Sequence, residues 1–147
     1  MNTRVIVYWV ATTLIALETL IGGVTDLVHG RQVLLVGVPV ADIVTNLGYP
    51  VYVLTILGLL KIPGAIVVLL PGWPRLKEWA YAGIVFEMAG AAASYVAHDH
   101  DAGSAVGILV IAGLALLSWA LRPPSRTLGG QILDRRDSPV GAPANLT

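Results

Sequence analysis

The sequence predicts an all-α protein, a membrane-spanning antiparallel four-helix bundle with a long interfacial connection between helices 1 and 2. Three observations carry this. Of 147 residues, 56% are hydrophobic and only 12% charged, a composition suited to lipid. The apolar residues gather into four stretches of about 20, the length at which a helix rising ~1.5 Å per residue crosses a ~30 Å hydrocarbon core. Two of the three separators, PGWPR and HDHD, are too short to do more than return the chain antiparallel.

The first span covers residues 5–24. Arg4 before an apolar run resembles the start of a signal peptide, but no A-x-A-like cleavage site follows, so the segment reads as a retained anchor. Its one deep charge is Glu18. Residues one helical turn apart share a face, so Glu18, Gly22, Thr25 or Asp26, and His29 form a polar stripe. Asp26 and His29 fall where interfacial water would meet them; Glu18 is too deep for that.

Residues 25–48 have too few consecutive apolar positions to span, and Gly30, Gly37 and Pro39 break them up. The segment is expected to lie on the membrane, with residues 40–47 forming a short amphipathic helix that turns Asp42 and Asn46 to polar surroundings. A lid packed over the bundle is the alternative.

The second span, residues 49–70, has Pro50 placed for a first helical turn and Lys61 near its middle. Pro63 removes a backbone donor and is expected to kink the helix beside Lys61. The third span, residues 76–97, has Glu87 as the one carboxylate near its middle, close to mid-membrane. An acid at that depth costs roughly 2.5 to 3.5 kcal/mol on insertion scales, so it needs a reason to stay. Lys61 is its expected partner. Gly83, Glu87, Gly90 and Ser94 share a face read as looking inward, with small residues permitting close helix contact.

Residues 103–121 make a fourth span without an ionisable group, read as scaffold. The HDHD turn, His98 to Asp101, invites a metal reading, but neighbours in a short loop rarely complete a coordination sphere, so no metal is expected. The expected division is a four-helix transmembrane domain at residues 1–122 and a mobile tail rich in Pro, Gly, Ser and charge at 123–147.

Even helix number puts the N-terminus, the PGWPR turn and the tail on one side, with Arg4, Arg75, Lys77, Arg122, Arg126, Arg135 and Arg136 against Arg31 opposite; the positive-inside rule makes the richer side cytoplasmic. Tyr8, Trp9, Trp73, Trp79, Tyr81 and Trp119 fall at that boundary as an aromatic belt, and Tyr49, Tyr52 and Tyr95 at the other. Nine basic residues balance nine acidic ones, which gives no reason to expect nucleic acid. Cysteine is absent, which excludes disulfides and thiolate metal sites within the chain. No nucleotide loop, haem-ligand pair or Ser-nucleophile motif is present.

Counted from the outer ends, Lys61 and Glu87 lie roughly 15 Å deep and Glu18 about 10 Å, so all three can meet in one bundle. NLGYP at 46–50, ILGLLKIPGAIVVLLPGWPRLKEWAYAG at 56–83 and EMAGAAAS at 87–94 resemble the DoxX-like family of small four-helix membrane proteins. The resemblance implies an antiparallel four-helix bundle and a family pattern at Lys61 and at the acid of position 87. It also implies a role for some relatives as accessory subunits of membrane oxidoreductase or quinone-linked complexes. The family usually carries Asp where this chain has Glu87, often His where it has Tyr95, and Gly-x-x-Lys-Leu where it reads Gly23-Val24-Thr25-Asp26-Leu27; Glu18 falls where an apolar residue is expected.

Three functions compete. The first is binding, and acid/base conversion without a cofactor, of a lipophilic small molecule: epoxide opening, isomerisation or cyclisation of a terpenoid or quinone-like compound. Glu18 and Glu87 would be the acid/base pair, Lys61 would fix the charge on Glu87, and Asp26 would relay protons or water. Gly22, Asn46, Tyr49, Gly83, Ser94 and Tyr95 are the candidate substrate contacts. The second is a non-catalytic accessory subunit in which Lys61 and Glu87 lock two helices. The third is transport, ranked last because no inverted repeat is found. The partners expected are membrane lipid, a lipophilic small molecule, and a homo-oligomer or membrane partner subunit, which the small-residue faces permit.

Overall fold

The computed structural model describes residues 3–29, 39–98 and 102–127. These form five α-helices and no strand: α1 (Thr3–Leu27), α2 (Val40–Asn46), α3 (Tyr52–Leu69), α4 (Pro74–His98) and α5 (Ala102–Ala120). Four of them, α1, α3, α4 and α5, are long and apolar enough to cross a membrane. α1 packs chiefly on α3 and α4 chiefly on α5, while the α1–α5 and α3–α4 seams close a ring. α1 and α4 therefore lie across the ring from each other, and α3 touches both.

Helix ends depart from the sequence reading for local reasons. α1 continues three residues beyond the expected end and takes Thr25 and Asp26 into its last turn. Pro50 precedes α3, where its carbonyl accepts a hydrogen bond from the Val53 amide at 3.0 Å. α3 runs as one helix past Pro63. Gly72 and Trp73 take positive φ (77° and 50°), which reverses the chain in a few residues, and Pro74 then opens α4 with the φ a first helical residue needs. α2 comes within a residue of its expected span and none of its residues is buried; residues 30–38 of the same connection, which the lid reading also covers, lie outside the described residues.

The interior is an apolar cluster of Ile15, Val68, Tyr81, Ile84, Met88, Ala112 and Ala115. α4 buries a stripe of Lys77, Tyr81, Ile84, Met88 and Ala92, spaced three and four apart, and Tyr81, Ile84 and Met88 of it join the cluster. This corrects the expected inward face: Gly83 and Gly90 are exposed, because the residues with volume to fill a core occupy the neighbouring stripe. The α1–α3 seam is the close one. A Cβ on Gly58 would stand 2.7 Å from the Gly23 carbonyl oxygen, and one on Gly23 would stand 2.8 Å from Lys61 Cβ.

The arginine-rich end is tied together by side chains. Fully buried Lys77 donates to the carbonyls of Val67, Val68 and Leu70, groups left without partners where α3 ends. Arg122 pairs with Glu78 at 2.6 Å and lies 5.2 Å over the Tyr81 ring. Arg126, in a single 3-10 turn at Pro124–Arg126, donates to Tyr8 Oη and to the Leu69 carbonyl, both at 3.2 Å, and covers Trp9. The first residues past position 122 are thus packed on the bundle, and 128–147 lie outside the described residues. Tyr8 and Tyr81 leave the expected aromatic belt for the interior, where the Tyr81 hydroxyl, Ser118 and Thr12 form a buried hydrogen-bonded chain with 2.7 Å links. α5 is therefore not wholly apolar scaffold, since Ser118 anchors that chain.

Candidate functional site

Position 61 is where α3 can reach both helices it touches. Lys61 Nζ lies 2.8 Å from Asp26 Oδ2 on α1 and 2.7 Å from Glu87 Oε1 on α4, so one ammonium links three helices. Gly23 makes this possible: without a side chain there, α3 seats its Lys61 stem directly against α1. The Asp26 side chain is 5% exposed, Lys61 12% and Glu87 18%. Asp26, read from the sequence as reaching interfacial water or relaying protons, is instead a direct partner of Lys61. His29 also has a protein partner, its Nε2 lying 3.1 Å from Thr55 Oγ1.

Glu18 joins the group one turn before Gly22. Lys61 Nζ and Glu18 Oε1 come within 3.4 and 3.9 Å of the point where a Cβ on Gly22 would stand. Gly22 thus leaves room for a third carboxylate near the ammonium. Thr19 Oγ1 is 3.4 Å from Glu18 Oε2, a long contact that holds it weakly.

Beside this cluster lies a cleft of about 220 Å³, lined by Thr19, Lys61 and Glu87 together with Leu57, Leu60, Gly64, Trp79, Ala80, Gly83 and Ile84. The structure brings Glu18, Gly22, Asp26, Lys61, Gly83 and Glu87 to one place. It does not bring the other candidates there. The Tyr49 hydroxyl is 2.8 Å from Ser94 Oγ, about two turns along α4 from Glu87, and Asn46 is exposed at the end of α2. Tyr95 is half-buried next to Ser94 in sequence and is not among the cleft residues. Thr19, Leu57, Leu60, Gly64, Trp79, Ala80 and Ile84 were missed, although helical spacing from Lys61 and Glu87 points to some of them: 57, 61 and 64 share one face of α3, and 80, 83 and 87 one face of α4. Among the described residues no group of three His, Cys, Asp or Glu could hold a metal ion; Asp99, His100 and Asp101 lie outside them.

Four apolar helices that close a ring, three of them linked by a charged cluster, define a multi-pass integral membrane protein whose outer faces meet lipid. The chain belongs to the DoxX-like family, which matches residues 10–121. No curated protein and no solved structure matches it.

Proposed function

We propose that this protein binds a lipophilic small molecule within the bilayer, against Lys61 and Glu87, and converts it by acid/base chemistry such as epoxide opening, isomerisation or cyclisation. The observation that carries this reading is the gathering of three carboxylates and one ammonium, from the middle of α3 and α4 and the second half of α1, beside a cleft. Charge at that depth is costly, and a helix lock needs one carboxylate per ammonium, not three. A dry site favours the neutral form of a carboxyl and a neighbouring ammonium favours the ionised form, so carboxylates at different distances from Lys61 suit opposite roles. Glu87 and Glu18 are the acid/base pair: one gives a proton to the substrate oxygen or double bond and the other takes one from carbon or water. Asp26 holds Lys61 in place, and no cofactor is called for.

The orientation proposed is that of a cell-membrane protein with both termini cytoplasmic. The competing reading, a non-catalytic accessory subunit, draws support from the way Lys61 joins α1, α3 and α4. Native mass spectrometry of gently solubilised wild type beside Glu87→Gln separates the two. The expected result is a small lipophilic adduct on wild type that is lost or changed in the folded variant. A stoichiometric partner polypeptide with no adduct on either form would overturn the small-molecule reading.

A further inference from the structure

The glycines at the seams of α1, α3 and α4 divide into two kinds. Gly23 and Gly58 close the α1–α3 seam so tightly that an added Cβ would fall within 3.0 Å of a neighbour. Gly64 and Gly83 do the reverse: a Cβ at either would meet nothing within 4 Å. Both of these open glycines line the cleft, one on each side of the α3–α4 seam, beside Lys61 and Glu87. The flanking Leu60 and Trp79 are 66% and 78% exposed, so the gap opens on the outer surface of the bundle. Lys61 and Glu87 fall near the middle of α3 and α4, so that surface faces hydrocarbon and not water.

We infer that the α3–α4 seam is a lateral portal through which a single-chain amphiphile with a small uncharged oxygen head, an alcohol, epoxide or carbonyl, reaches Lys61 and Glu87 from the bilayer. This rests on the function proposed above and names the class of molecule that site takes. Size decides how much of it enters. A cleft of about 220 Å³ is below the ~300 Å³ at which pockets begin to enclose a drug-sized ligand, so it holds the head and first carbons while the tail stays between α3 and α4 in lipid. Charge decides the head. A charged group would have to cross hydrocarbon to reach the portal, and an anion would then face carboxylates from two helices. An ammonium has three N–H donors; Asp26 and Glu87 take two, which leaves one for a ligand oxygen. Gly64 and Gly83 are then the positions that set how wide a head and chain can pass.

The test uses the full chain in phosphatidylcholine nanodiscs with a hexadecanol that carries a diazirine near its hydroxyl and a terminal alkyne. The expected result is saturable photolabelling of wild type on peptides containing residues 57–64 and 79–87. Labelling should fall at least tenfold in Gly83→Leu and in Gly64→Leu, each with wild-type resistance to unfolding, and also in Glu87→Gln. If folded Gly83→Leu and Gly64→Leu label like wild type while Glu87→Gln does not, the portal is wrong and the site stands. If all three label like wild type, or label outside those peptides, the binding reading itself fails. Should one leucine variant not fold, the other carries the test, because the two residues stand on different helices.

Discussion

At the residue scale, Lys61 holds charges that nothing else nearby balances. Its side chain is 12% exposed and its Nζ lies within 2.8 Å of both Asp26 and Glu87, so its removal strands two largely buried carboxylates. Breaking a buried pair by deleting one partner costs roughly 3–5 kcal/mol, whereas replacing all members with neutral groups is often neutral or stabilising. Lys61→Met is therefore expected to lose most of its folded yield. Lys61→Met/Glu87→Leu should recover only in part, because Asp26 remains unpaired, and adding Asp26→Asn should complete the rescue. Size-exclusion profiles and unfolding by SDS titration check this. Full rescue by the double variant would mean that Asp26 has water and not Lys61 as its partner. Rescue of folding without rescue of ligand binding would separate the structural work of the cluster from its chemistry.

At the element scale, the glycines decide which helices are clamped and which are left ajar. A Cβ on Gly58 would come 2.7 Å from both the Gly23 carbonyl oxygen and Leu27 Cγ, and a backbone atom cannot rotate away. Gly58→Ala should force α1 and α3 apart at a cost of about 1–3 kcal/mol. Gly64→Ala meets open space and should be neutral or gain up to about 1 kcal/mol from better helix propensity. Equal resistance of the two variants to SDS unfolding would mean the seams do not differ. The sequence shows both glycines as the same letter in an apolar run, and only the neighbouring helix tells them apart. Lys61 and Glu87 were legible because each stands isolated within an apolar stretch of known depth, and that depth put them level. Asp26 could be placed on the Glu18 face but not as a partner of Lys61: after Thr25 it reads as a polar flank, and it stays helical and buried beside a lysine that reaches it from another helix. The same limit applies to α4, where spacing gave a polar-and-small stripe but could not say that Tyr81, Ile84 and Met88 would win the interior. Tyr8 and Tyr81 looked like interfacial aromatics until Ser118 and Arg126 supplied partners for their hydroxyls inside the bundle.

At the scale of the whole molecule, packing fixes which ends share a side, and the charge bias predicts which side that is. Arg126 binds Tyr8 near the start of α1 and the carbonyl of Leu69 at the end of α3, and Arg4 donates to the Ala120 carbonyl at the end of α5. The start of α1, the α3–α4 turn and the segment after α5 therefore meet at one end, as four spans require. That end carries Arg4, Arg75, Lys77, Arg122 and Arg126, while α2 and its Asp42 lie toward the other. Burial of Lys77 and Arg122 does not weaken the signal, because the bias is set by residues within about 15–20 positions of the span ends as the chain inserts. The chain has no cysteine, so single cysteines report cleanly. Asp42→Cys and Ser125→Cys both replace exposed residues outside the four spans. In intact cells a membrane-impermeant maleimide should label Asp42→Cys at once and Ser125→Cys only after permeabilisation. The reverse pattern would put the arginine-rich end outside, and labelling of both in intact cells would mean an odd number of crossings and break the four-span topology. The expected pattern would place the arginine-rich end in the cytoplasm and α2 toward the outer face, with the proposed α3–α4 portal between the two ends.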